Sequence, residues 1–255
     1  MRIAVALKQV PSRDSILAPD AGGRWIREDD LSFEINEPDA YALEAALQLR
    51  DRQGGEVIAI SVGPDRAEKS LREALAKGAD RAIHILAPDE ASQDAFTVAF
   101  HLAEAIRREQ VDLTLTGLQS DDLGSGQTGV IVAELLGVPH ATIIMQIEPH
   151  EGGLRVRREL EGGWFQYIDM PLPAALTVQS GIAKLRYATL LGIKKARTKE
   201  VRRISAAAPP AQGARAEIVR VFAPQHAKQT CFLRGDARSA AAELIEKLRF
   251  EARVL

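Results

Sequence analysis

The chain has 255 residues, 46% of them hydrophobic, and a formal net charge of -2. That is enough for a sizeable buried core and too nearly neutral to point to nucleic acid. The single cysteine, Cys231, excludes an internal disulfide and suits a reducing compartment. No apolar run reaches the roughly 20 residues of a membrane helix, and MRIAVALKQV lacks the parts of a signal peptide, so a bacterial cytoplasmic location is expected.

Residues 3–10 read as a strand, and 36–50 as a helix with Ala42, Leu43, Ala46 and Leu47 on one face. A strand over 57–62 runs into Gly63-Pro64-Asp65, which opens a helix to Lys77 that Gly78 ends. A strand over 82–86, a helix over 93–108 and a strand over 113–116 follow. This β-α-β-α order, with continuously apolar strands, predicts an α/β fold whose parallel sheet carries helices on both faces. Ligands of such sheets sit beyond the carboxyl ends of the strands. Lys8, Val62 and the loop after residue 116 are therefore expected around one crevice.

That loop lies in VDLTLTGLQSDDLGSGQTG, residues 111–129, between an apolar strand and the helical run VIVAELLG that ends at Gly137-Val138-Pro139. Glycine-freed backbone N–H groups would crowd there against the positive end of a helix dipole, which suits an anionic nucleotide. The loop contains neither the Gly-Lys-Ser/Thr of a Walker A motif nor GxGxxG. An ordinary polar turn between strand and helix is the bland alternative.

Beyond Met145 the pattern changes. Residues 154–160 and 164–170, joined by Glu161-Gly162-Gly163, alternate as a β-hairpin with one wet face. Residues 174–179 form another apolar strand, expected to return to the sheet. A basic segment over 186–203 follows, then an Ala/Pro-rich linker over 205–213. A strand over 218–223 and an amphipathic helix over 237–250 complete an arm better suited to packing on another subunit than to forming a second core.

Catalytic chemistry is hard to find. The five histidines show no metal-binding spacing, and no metal is expected. Cys231 reads as a buried strand end. Asp121 and Asp122 have the chemistry to bind Mg²⁺ or to cap the glycine loop; capping is favoured because no further carboxylates are near in sequence. No GxSxG elbow or kinase set is present, so no catalytic residue is assigned. In the basic segment, Leu190 and Leu191 before Gly192 read as two leucines in a loop, an apolar anchor for a partner with cations around it.

The motifs IAVALKQV, INEPDAYALEAAL, ISVGPDRAEKSLREALAKGADRAIHI, the glycine loop, RRELEGGWFQ and RYATLLGIKKARTK together resemble the beta subunit of electron transfer flavoproteins over nearly the whole chain. The resemblance implies a Rossmann-like fold of the adenine-nucleotide-binding type over residues 1–204, and a linker and arm over 205–255 that pack on an alpha subunit. It implies an electron carrier, not an enzyme. FAD would be held mainly by the alpha subunit of the heterodimer, and a structural AMP by this one. Electrons would come from an acyl-CoA dehydrogenase or related donor in fatty acid oxidation and leave to a quinone oxidoreductase towards the respiratory chain.

By motif, the resemblance lines AMP with Ala6, with Asn36, Glu37, Pro38 and Asp39 at a helix start, and with Val62. Gly117, Leu118, Gln119, Ser120, Asp121 and Asp122 continue the site, and Leu123, Gly124, Ser125, Gly126, Gln127 and Thr128 complete it. Tyr187, Ala188, Thr189, Leu190, Leu191, Gly192, Ile193, Lys194 and Lys195 match the partner-recognition segment, with Leu190 as the anchor.

Three departures stand out. Many members have a small residue or Cys where this chain has Asp39, whose carboxylate would repel a phosphate unless it faces a ribose or caps the helix. Many have an Asp-rich loop at Leu123-Gly124-Ser125-Gly126, and Pro in place of Leu191. Relatives that hold a second FAD instead of AMP and bifurcate electrons typically show Gly-Asp-Thr in the loop, which is missing here, so AMP is favoured. A stand-alone nucleotide-binding or hydrolysing protein would explain the first 145 residues only.

Overall fold

A computed structural model of the chain describes residues 1–87, 93–206, 213–224 and 230–254. The elements begin with β1 (Arg2–Ala6), β2 (Gln9–Pro11), β3 (Phe33–Ile35), α1 (Glu37–Gln53) and β4 (Glu56–Gly63). There follow α2 (Glu68–Lys77), β5 (Arg81–Leu86), α3 (Ala95–Glu109), β6 (Leu113–Gly117) and α4 (Thr128–Leu136). The third stretch holds β7 (His140–His150), β8 (Gly153–Glu159), β9 (Phe165–Pro171) and β10 (Ala174–Val178). Last come α5 (Leu190–Ala196), β11 (Val201–Ser205) and α6 (Ala237–Glu246).

The main sheet has nine strands in the order β11-β5-β4-β1-β6-β10-β7-β8-β9. All neighbours from β11 to β7 are parallel, and β7-β8-β9 is an antiparallel meander. Side chains alternate between two cores, as the two-residue period of a strand requires. Ile3, Val5, Val57 and Ala59 enter the core built with Leu43 and Leu47 of α1 and Leu71 and Leu75 of α2. Ala4, Ile58 and Ile60 enter the other, with Leu102 and Ile106 of α3 and Val132 of α4. The expected α/β sheet with helices on both faces is therefore present, and Ala42, Leu43, Ala46 and Leu47 all lie on the buried face of α1. Strand order reverses between β1 and β6, the place where open α/β sheets leave a crevice at their carboxyl edge.

The hairpin over 154–170 is β8-β9, its turn at Glu161–Gly163; Leu154 and Val156 are buried and Arg155 is exposed. Three features depart from the sequence reading. The strand over 3–10 is two strands: the chain leaves the sheet after Ala6, and residues 9–11 pair antiparallel with β3. No strand forms over 218–223, where Val221 N–H bonds Gly23 O at 2.7 Å. Cys231 is exposed, not a buried strand end. Of the expected linker, 207–212 lie outside the described residues, and Ser205 closes β11, paired parallel with β5.

Met1–Val221 and Phe222–Leu255 are separate compact units. In the second, α6 is capped by Asp236, which accepts Ser239 N–H at 2.8 Å, and a π-helical turn over Lys247–Glu251 ends it. Among the described residues no helix is long and apolar enough to cross a membrane, and no cluster of side chains suits a metal ion.

Candidate functional site

At the reversal point a cleft of about 1070 Å³, counting the open solvent at its mouth, lies over the ends of β1, β4 and β6. Its two ends differ in chemistry. One is apolar, formed by Val62, Ala67, Ala87, Ala95, Val98 and Leu102. The other is the loop from Leu118 into α4. There the backbone N–H groups of Ser125, Gly126, Gln127, Thr128 and Gly129 have no acceptor among the described residues. Gly124 and Gly126 take positive φ, 61° and 63°, which turns the loop so that it delivers those groups to the start of α4. A helix start with unpaired N–H groups attracts anions. The cleft fits a ligand with an apolar body and an anionic end.

The loop is stapled from across the sheet. Asn36 precedes α1 but does not cap it; its Nδ2 donates to Gln119 O at 3.0 Å and its Oδ1 accepts Asp121 N–H at 2.9 Å. Lys8 Nζ donates to Asp122 Oδ1 at 2.7 Å. Burial opposes the charge on Asp122, but Lys8 and hydrogen bonds from Ser120 and Leu123 N–H hold its carboxyl below the usual range. The loop-capping role expected of the aspartate pair is met by Asp122, which accepts Leu123 N–H at 2.7 Å.

Asp39 is buried and turned inward. Its Oδ1 accepts Gly117 N–H and its Oδ2 accepts Lys8 N–H, both at 2.8 Å, tying β1 to β6 where the two strands diverge. Burial raises its pKa from 3.8 to about 6, against the pull of those two N–H groups. Both oxygens of this carboxylate are thus committed to backbone donors, and it caps no helix. Gly117 is required beside it: a Cβ there would strike Asp39 Oδ1 and lie 2.7 Å from Pro38 Cβ.

A second exposed feature lies at α5. Thr189 caps this helix, its Oγ1 accepting Gly192 N–H at 3.0 Å, so Leu190 and Leu191 open a helix and do not sit in a loop. Leu190 is 87% exposed and Tyr187 92%. The base beneath them is fixed. Arg186 bonds the buried Glu44 of α1 at 2.8 Å, and Arg72 of α2 donates to Ala196 O and Lys199 O at 2.9 Å.

The electron transfer flavoprotein domain family matches residues 24–209. The chain is 36% identical over 257 residues to the electron transfer flavoprotein subunit beta of Methylophilus methylotrophus, covering 96% of this chain and 97% of that one. It is 32% identical to the subunit beta of Bacillus subtilis (strain 168), over the full length of both chains. The mitochondrial subunit beta of Oryza sativa subsp. indica is 33% identical, again over both full lengths. The chain belongs to the electron transfer flavoprotein family, as a beta subunit. As such it serves electron transfer, pairs with an alpha subunit and associates with flavin.

Against this beta-subunit frame, the structure gathers Ala6, Asn36, Asp39, Val62, Gly117, Leu118, Gln119, Ser120, Leu123, Ser125, Gly126, Gln127 and Thr128 on the cleft wall. Glu37, Pro38, Asp121, Asp122 and Gly124 stand behind it: Glu37 pairs with Arg13, and Pro38 backs Gly117. The apolar end has no motif in the sequence, although Ala87, Ala95 and Val98 lie near the carboxyl end of a strand, the expected place. Trp25 also lines the cleft, from a segment with no periodicity to announce it.

Proposed function

We propose that this beta subunit buries AMP in the cleft as a structural nucleotide and shares FAD with its alpha subunit at their interface. Leu190 docks an acyl-CoA-dehydrogenase-type donor, and electrons leave towards a quinone oxidoreductase. The observation that carries the nucleotide reading is the pairing of an apolar end with a row of unpaired N–H groups at one switch point. The phosphate belongs at Ser125–Gly129 N–H and the base at the apolar end, with Asp39 removed from repulsion by its two backbone donors. FAD, when bound, supplies the acceptance and release of electrons. This chain contributes the scaffold and the docking tip, with the arm beyond residue 205 packing on the alpha subunit.

The docking reading rests on an apolar tip on a braced helix. Lys194 and Lys195 lie exposed in its last turn, where positive charge steers an acidic partner. Leu190→Ala in the heterodimer is expected to slow reduction by the donor dehydrogenase about tenfold or more, as the loss of a buried interface anchor does, with flavin content unchanged. Unaltered transfer kinetics would remove Leu190 from this role.

A further inference from the structure

We infer that Trp25 is the wall against which the base of the bound nucleotide stacks, and that residues 12–32 form a strap built to hold it there. The inference rests on the reading of the cleft as an adenylate site. Trp25 is the only aromatic side chain among the described residues that line the cleft. It shares the lining with the apolar Val62, Val98 and Leu102, and its partner Glu28 is held by Arg66, next to Ala67 of the apolar end. A planar π-face in an apolar slot suits a purine, whatever its edge pattern.

The indole is oriented by a relay of side chains. Trp25 Nε1–H donates to Glu28 Oε1 at 2.8 Å. Arg66 grips the same carboxylate through Nε at 3.2 Å and Nη2 at 3.1 Å. Arg66 also donates to Gln9 Oε1 at 2.7 Å and lies 3.8 Å over the Phe33 ring. The backbone is held too: Asp20 N–H bonds Trp25 O at 2.7 Å, Arg27 N–H bonds Ala18 O at 2.9 Å, and Pro19 and Ile26 form an antiparallel bridge. The strap places one rotamer-poor aromatic at the cleft and ties its polar edge to the opening of α2. Its position is thus set before the ligand arrives, which lowers the entropy cost of stacking.

The test uses the heterodimer after release of its nucleotide, titrated with AMP. Trp25→Ala is expected to weaken AMP binding roughly ten- to a hundredfold, the range lost with a base-stacking aromatic, and Trp25→Phe to restore most of it. Tryptophan emission, taken as the difference between wild type and Trp25→Phe, should be quenched by AMP. Wild-type affinity in Trp25→Ala, or emission untouched by saturating AMP, overturns the inference while the adenylate site stands. If the wild-type heterodimer binds no AMP, the adenylate reading itself falls and takes the stacking role with it.

Discussion

Asp39 lies buried between the ends of β1 and β6. Its oxygens satisfy the N–H groups of Lys8 and Gly117, which are orphaned because β1 and β6 part there to open the cleft. Asp39→Ala leaves both donors without an acceptor, and a loss of roughly 2–4 kcal/mol in unfolding stability is expected, measurable by denaturant titration. The raised pKa also fixes the sign of a pH effect. Between 3.8 and about 6 the folded chain holds a proton on Asp39 that the unfolded chain has released. Stability from this group is therefore greatest at acid pH and falls as pH rises through that window. The gap between wild type and Asp39→Ala should be wider at pH 4 than at pH 7; a gap that widens towards neutral pH would contradict the assignment. The sequence marked Asp39 as a misplaced charge. It could not show the remedy, because the two donors come from residues 8 and 117, far away in the chain.

Among the elements, those with a clear apolar pattern were legible, and those interrupted by charges, a register shift or a glycine were not. Helix α1 and hairpin β8-β9 stand within three residues of their expected bounds; Ala42, Leu43, Ala46 and Leu47 of α1 and Leu154 and Val156 of β8 are buried as their spacing predicts. Strand β11 reads as a basic tail, since Arg202 and Arg203 interrupt it. It survives because those cations find Glu109 and Asp65, and a charged edge strand is a stable way to end a sheet. Strand β7 carries no clean alternation: its register shifts at Ile144–Gln146, and Ile143 adopts a φ of 59°. Helix α5 was hidden by its length of seven residues and by Gly192 inside it. That glycine lets α5 lie against α2, for a Cβ there would strike Ala76 O. Gly192→Ala is expected to lift α5 from its base and slow electron transfer from the donor severalfold, with little change in melting temperature. Stopped-flow reduction of the heterodimer by the dehydrogenase measures it, and an unchanged rate would mean that the seat of α5 is irrelevant to docking.

For the molecule as a whole, the order of strands decides where function sits. The reversal between β1 and β6 opens the cleft, and helices pack on both faces of the strands that flank it. Sequence periodicity predicts that sheet, and with it the N–H-rich half of the cleft. The apolar half depends on β5, α3 and residues 12–32 meeting in space, which no local pattern encodes. The central claim, an electron-carrying subunit organised around a buried adenylate, is tested most directly by heating the purified heterodimer and chromatographing what it releases. AMP equimolar with the beta chain and FAD equimolar with the heterodimer are expected; FAD in molar excess with no AMP would contradict the account.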